Sequence, residues 1–401
     1  MNSRNHNSLK RGLGLQKFMY RFCQVVVGPW LFFLYHFHPK RCTVRSRTFL
    51  AVANHTQNLD PALMVLGLNR HFRFVANSTL GKGFFGHIFK NLFGLILREK
   101  GAKGDTVIAQ IEENLKAGVS VGLFPEGNRS WDGVSEFISK RTARMAKESG
   151  AALVTYRFTG GYLLKPRWAA TKRKGPMHGE LMHEFSPEQL ASMTEDEIYK
   201  AMCDDLYVDA YEEQARSGDK YPGERLAEGM QYAAYLCPCC HRFGTIETSG
   251  DDISCSCGLK ATYNEYGRIV GEKLPFDTLR DWNRFQKEWM AANSSSLRAK
   301  TADPIVTDCH FTVTRIAGGV SSVLSEDAML SLFGDRLEIL FPDGEKTVYS
   351  LSEITGMGTF LAKSIYFNCG SDLRYQLIAQ HAVSVLKYYA LWRVLTGREY
   401  L

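Results

Sequence analysis

The sequence predicts an α/β domain, then a cysteine-rich ribbon, then a small β domain closed by a helix, and three observations carry that prediction. Between residues 48 and 158 short apolar runs alternate with stretches of helical period, the pattern of a sheet with helices on its faces. Five of the ten cysteines fall between Cys237 and Cys257. Beyond residue 296, runs such as HFTVTRI and RLEILF alternate apolar with polar residues, as half-buried antiparallel strands do. A chain of 401 residues with 45% apolar and 12% aromatic content can bury a sizeable core in more than one domain, which excludes a disordered protein.

The first element, residues 1–47, is a basic segment built for a membrane interface. Residues 1–104 hold sixteen Lys and Arg against only Asp60 and Glu99, although the whole chain is formally only +7. Positive charge gathered in one quarter of a chain attracts anionic head groups, a phosphorylated substrate or nucleic acid. The apolar run FCQVVVGPWLFFLY (22–35) is too short for about 30 Å of hydrocarbon, and Gly28-Pro29 interrupts it. It reads as lying in the interface, with Trp30, Tyr20 and Tyr35 at head-group level and Lys17, Arg21, Lys40, Arg41, Arg45 and Arg47 toward anionic lipid. A buried core helix is the alternative. Basic residues on both sides of the run and the lack of a small-residue cleavage site argue against a secretory signal. The expected place is therefore the cytoplasmic face of a membrane, peripheral or monotopic, with reduced or metal-bound cysteines.

Residues 48–232 form the α/β domain. TFLAVAN (48–54), RFVAN (73–77), GLILR (94–98) and VSVGLF (119–124) read as buried strands, and AALVTYRF (151–158) as a fifth. Ile108, Ile111 and Leu115 share a helical face that Gly118 ends. Residues 194–214 read as one helix opened by the capping box of Thr194 and Glu197. Residues 233–296 hold the cysteine segment, a helix with Leu279, Trp282 and Trp289 near one face, and AANSSS (291–296), which reads as a flexible linker. Residues 297–401 form the β domain, with a turn at Pro342-Asp343-Gly344 and a helix around 381–396. A lipid- or peptide-binding barrel of the pleckstrin-homology type fits that order.

Two loops carry chemistry. The first strand runs into Asn54-His55-Thr56-Gln57-Asn58-Leu59-Asp60. Residues five apart do not share the face of a straight helix, so only a turn brings the Asp60 carboxylate onto the His55 ring, where it fixes the tautomer and stabilises the imidazolium of a general base. The fourth strand runs into Phe124-Pro125-Glu126-Gly127-Asn128-Arg129-Ser130, where α/β sheets bind ligands. Gly127 allows close backbone approach, Arg129 offers a planar fork for phosphate, and Glu126 a carboxylate for a hydroxyl. Taken alone, either loop has an ordinary structural reading as well.

Together, NHTQNLD and FPEGNRS resemble the motifs of the glycerolipid acyltransferases typified by 1-acylglycerol-3-phosphate acyltransferase. GLILREKGAKGD resembles that family's second block and AALVTYRFTGG its fourth. The resemblance spans roughly residues 20–185. It implies an acyltransferase αβ domain in which His55 is the base and Asp60 its orienter. Arg129 and Arg98 would hold the acceptor phosphate, and Glu126 and Gly127 would position the glycerol part. It further implies acyl-CoA or acyl-carrier-protein as donor and a lysophosphatidate-type acceptor at a phospholipid surface, for phospholipid biosynthesis. Asn128 and Gln57 depart from the usual Thr and Ser.

Cys237-Pro-Cys-Cys240 and Cys255-Ser-Cys257 resemble a zinc ribbon, whose tight turns present four thiolates to a structural Zn²⁺. Cys237, Cys240, Cys255 and Cys257 are the expected ligands. Cys239 and His241 are alternatives, and Cys240 is preferred because it completes the two-residue spacing. A nucleic-acid-binding ribbon is the rival from another class. However, residues 237–268 hold Arg242, Lys260 and Arg268 against Glu247, Asp251, Asp252 and Glu265, a poor reader of phosphates, so no nucleic acid is expected. A membrane scaffold without catalysis is a third reading, against which the His55 and Asp60 pairing stands. Among acceptors, another lysophospholipid or glycerol-3-phosphate is the alternative.

Overall fold

A computed structural model describes residues 12–77, 83–98, 105–318, 320–370 and 373–398. The chain divides into two compact units, one of residues 1–166 and 174–221, the other of 167–173 and 222–401.

The first unit opens with α1 (Leu13–Val26) and α2 (Gly28–Tyr35), bent by 50° at their junction. Pro29 causes the break, because a residue without an N–H is tolerated only in the first turn of a helix. No single helix among the described residues is long and apolar enough to cross a membrane. The pair buries Gln16, Tyr20, Leu31 and Tyr35 and exposes Leu15, Phe18, Phe22, Val25, Trp30 and Phe33, the last by 78%. Tyr20 and Tyr35 are thus not at head-group level: they are 7% and 8% exposed. The Tyr20 hydroxyl donates to the Val65 carbonyl at 3.3 Å, since a half-turn of helix separates these rings from the exposed stripe.

Next come β1 (Phe37–Pro39), β2 (Phe49–Ala53), α3 (Asp60–Leu68), β3 (Arg73–Asn77), α4 (Gly83–Phe93), β4 (Ile96–Arg98), α5 (Asp105–Lys116), β5 (Val121–Leu123), α6 (Lys140–Glu148), β6 (Ala152–Thr159), α7 (Gly161–Leu164), β7 (Met177–Phe185), α8 (Pro187–Ser192), α9 (Glu195–Leu206) and α10 (Ala210–Ser217). The sheet order is β1-β7-β6-β2-β5-β3-β4. From β6 to β4 the pairings are parallel, while β7 runs antiparallel to β6. All five residues of β2 are buried, because parallel strands need both faces covered. Val107, Ile111 and Leu115 from α5, Met145 from α6, and Ile198 and Met202 from α9 pack on one face of that sheet.

The expected helix over 194–214 is two helices. Its capping box is present, with Thr194 accepting from the Glu197 N–H and Glu197 from the Thr194 N–H. Asp209 then caps a new helix by accepting from Tyr211 and Glu212, and Ser135 Oγ receives the Val208 N–H at 2.9 Å. That outside partner makes the break affordable.

The second unit contains a four-stranded antiparallel sheet, β8 (Ile246–Ser249), β9 (Asp252–Cys255), β10 (Lys260–Tyr263) and β11 (Ile269–Val270). Helix α11 (Leu279–Ala292) follows and buries Leu279, Trp282, Gln286 and Met290. Gln286 Oε1 accepts the Tyr235 and Leu236 N–H groups, which fastens the approach to the cysteines. The expected linker is helical instead. Ala291 and Ala292 finish α11, and α12 (Ser294–Arg298) buries Leu297 while Arg298 donates to the carbonyls of Val394 and Leu395. Beyond it, β12 (Val306–Ala317), β13 (Val320–Leu332), β14 (Arg336–Leu340), β15 (Lys346–Ser350), β16 (Ile354–Phe360), β17 (Ser364–Cys369) and β18 (Leu373–Ala379) form an antiparallel sheet in the order β15-β14-β13-β12-β18-β17-β16. Helix α13 (Leu386–Leu395) buries Leu386, Tyr388 and Leu391.

Candidate active site

The site is assembled at the carboxyl ends of β2 and β5, neighbours in the sheet. Asn54 closes β2: its side chain accepts the Phe158 N–H at 2.7 Å and donates to the Phe158 carbonyl at 2.9 Å, so the start of the loop is tied to β6. The chain then wraps around a fully buried carboxylate. Asp60 Oδ2 accepts the Thr56 N–H at 2.5 Å and the Gln57 N–H at 2.7 Å, and lies 2.9 Å from His55 Nδ1. The turn that a spacing of five requires is thus built around Asp60 itself. The second nitrogen, Nε2, stays available to take a proton, and the side chain is 22% exposed. Phe124 stacks on the imidazole with centroids 4.4 Å apart. Gln57, where the family commonly has Ser, donates to the carbonyls of Gly161 and Lys165.

The loop after β5 brings three residues to the same place. Gly127 has φ +69° with open space around a Cβ, so its backbone conformation rather than crowding favours glycine. Arg129 is partly buried and within electrostatic reach of Asp60 and Tyr35; burial pulls its pKa down while those two groups raise it. Glu126 accepts the His55 N–H with Oε1 at 2.9 Å and the Glu136 N–H with Oε2 at 2.8 Å. Burial pushes its carboxyl up to about 8, against the pull of those two donors and with help from the Glu136 and Asp60 carboxylates. A small pocket at the dyad is lined by His55, Thr56, Glu126, Ser135, Tyr162 and Val208.

Arg98 stands further toward the sheet edge than Arg129. It ends β4, with β3 between that strand and β5, so strand spacing sets it roughly 10 Å to the side of β5. It is exposed at the carboxyl edge of the sheet. The rest of its block, residues 99–104, lies outside the described residues. Tyr35 is the neighbour that sequence reasoning missed. Burial raises its pKa, Asp60 raises it further and Arg129 lowers it, so the end of α2 is within electrostatic reach of both groups. Its only signal in the sequence was an aromatic at the end of an apolar run.

In the second unit the sulfur atoms of Cys237, Cys240, Cys255 and Cys257 lie within 4.8 Å of one another. Two edges measure 3.7 Å (Cys237 to Cys257) and 3.9 Å (Cys240 to Cys255), against about 3.8 Å for a tetrahedron with zinc–sulfur bonds of about 2.3 Å. The short second pair is accommodated by Gly258 at φ +91°, whose N–H bonds the Cys255 carbonyl at 2.9 Å. Cys239 points away, its sulfur 3.7 Å from the Lys273 carbonyl. The His241 ring lies against Trp289 and Phe285. The four thiols could hold a metal, and the two alternatives stand outside the cluster.

The family model described as Acyltransferase matches residues 36–159. A 1-acyl-sn-glycerol-3-phosphate acyltransferase from Borreliella burgdorferi is 24% identical over 174 residues, covering 41% of this chain and 68% of that protein. Among solved structures, the 1-acyl-sn-glycerophosphate (LPA) acyltransferase PlsC from Thermotoga maritima aligns with a TM-score of 0.40 and 22% identity, over 51% of this chain and 80% of that one. The Vps36 N-terminal PH domain aligns with a TM-score of 0.20 and 15% identity, over 24% of this chain and 80% of that one.

Proposed function

We propose that this chain, whose residues 36–159 match the Acyltransferase family model, transfers a fatty acyl group from acyl-CoA or acyl-carrier-protein to the sn-2 hydroxyl of 1-acyl-sn-glycerol-3-phosphate. The product is phosphatidic acid, made for phospholipid biosynthesis. The observation that carries the acceptor is a partly buried guanidinium, Arg129, within electrostatic reach of the base's own orienting carboxylate. A phosphate held there leaves the rest of the acceptor to reach His55. Arg98 at the sheet edge would add positive potential. His55 Nε2 takes the hydroxyl proton as the oxygen attacks the thioester carbonyl; the carbon–sulfur bond breaks and the proton passes to the departing thiolate. Asp60 stabilises the imidazolium meanwhile, and such a positioned base is worth about 10²–10⁴ in rate. No acyl-enzyme is needed.

Arg129→Ala tests the acceptor. Acceptor KM is expected to rise about tenfold or more, since a hydrogen bond to a charged group is worth about 1.5–3 kcal/mol, and the defect should shrink with a monoacylglycerol that lacks the phosphate. Equal weakening of both acceptors would make Arg129 structural. A panel of glycerol-3-phosphate and other lysophospholipids with one labelled donor separates the remaining choices.

The expected site of the reaction is the cytoplasmic face of a membrane. Exposed Phe18, Phe22, Trp30 and Phe33 lie on helices that also carry exposed Lys17 and Arg21, a combination suited to anionic interfaces. Replacing Phe18, Phe22 and Phe33 together with Ser should weaken binding to phosphatidylglycerol-containing vesicles by about 10²-fold or more, since burying each ring is worth roughly 1.5–3 kcal/mol. Undiminished vesicle flotation of the triple variant would remove the interfacial role. In the second unit, Cys237, Cys240, Cys255 and Cys257 would hold one Zn²⁺. With all four ligands supplied by protein, that ion would have no open position and a structural role.

A further inference from the structure

The Glu126 carboxyl group accepts from two backbone N–H groups on different loops. One belongs to His55, 71 residues away in sequence, and the other to Glu136, ten residues on. The His55 N–H lies two residues past the end of β2, where the strand ladder no longer supplies a partner, and an unmet buried donor there would cost about 1–3 kcal/mol. The 133–136 loop forms another wall of the pocket, through Val134 and Ser135. One side chain therefore ties the backbone from which the base projects to a second loop that lines the pocket. A carboxyl group can do this in its ionised or its acid form, because both oxygens keep a lone pair to accept with; an amide can accept at only one.

We propose that Glu126 is a positioning residue, which holds the His55 backbone and the 133–136 loop in register, rather than a ligand of the acceptor. This rests on the acyl-transfer reading for its kinetic consequence only. The two roles separate in the kinetics. A ligand of the glycerol part contributes to acceptor binding, so its loss raises acceptor KM. A residue that aims the base contributes when the proton moves, and a base displaced by about 1 Å can cost about 10²-fold.

The test is E126Q, in which the amide keeps one accepting oxygen and turns an NH₂ toward the other N–H. With whichever acceptor the wild-type chain acylates, kcat is expected to fall by about 10²-fold while acceptor KM stays within about twofold. Backbone hydrogen exchange should accelerate in peptides covering 54–57 and 134–137 and remain unchanged in β6 and α9. The exchange arm needs no substrate, so it stands even if the wild-type chain acylates none of the acceptors tried, an outcome that would count against the functional reading instead. An acceptor KM raised about tenfold at unchanged kcat, or unaltered exchange in both peptides, overturns the proposal. If E126Q is recovered unfolded, E126D, with two oxygens set back by one methylene, gives the same two readings.

Discussion

Replacing His55 with Ala is expected to lower kcat by about 10² or more while leaving acceptor KM nearly unchanged. The reason lies in what the ring touches. Its Nδ1 is committed to a fully buried Asp60 at 2.9 Å, and its face to Phe124, so Nε2 is the atom left for chemistry, and the proton it receives exists only as the reaction proceeds. Asp60→Asn should follow part of the way for two reasons. It removes the negative charge opposite the imidazolium, and it disturbs the N–H groups of Thr56 and Gln57 that converge on Oδ2. Asp60 variants should therefore lose stability as well as rate, and His55→Ala should lose rate with little change in melting temperature. Turnover within about tenfold of wild type in a folded His55→Ala chain would show that another group takes the proton.

The pairing of His55 with Asp60 was legible because the motif and the strand before it are local. A continuous apolar run ended in NHTQNLD, and a strand buried on both faces has no polar residue to blur its ends. Glu126 could be placed by the same means, but its partners could not. They are backbone N–H groups, and no side-chain pattern in a sequence announces which main-chain donors a carboxylate will meet. The break at Asp209 was missed for a related reason. Residues 194–214 keep an amphipathic period, and what opens the helix is a cap at Asp209 together with Ser135, which is distant in sequence. Strand β7 escaped because MHGELMHEF alternates poorly, with a Gly and two His among its polar residues. Tyr20 and Tyr35 were misplaced because an apolar segment with a bend buries one side of each half, and the sequence does not state which side faces the sheet. The relative placement of Arg129 and Arg98 was the hardest step: each follows a strand, and only the strand order separates the one near the dyad from the one at the rim.

The second large effect concerns metal. Purified chain is expected to contain about one zinc with an all-sulfur shell by X-ray absorption, and Cys240→Ser should lose it. Four thiols cannot sit with edges of 3.7 and 3.9 Å as ionised groups without a cation among them. Structural zinc contributes on the order of 10 kcal/mol to the folding of small ribbons, and the sheet β8–β11 alone is too small to replace that with apolar burial. Cys240→Ser should therefore expose 237–270 to protease and remove the ribbon's contribution to hydrogen-exchange protection. Cys239→Ser is the matched control, because its sulfur points to the Lys273 carbonyl and stands outside the cluster, so it should keep full zinc and full protection. Because thiolates would be the ligands, acid should release the ion, with protection lost in the same pH range. Two results would each refute the assignment: a zinc-free preparation with 237–270 protected as fully as in the untreated chain, or zinc lost from Cys239→Ser but retained by Cys240→Ser.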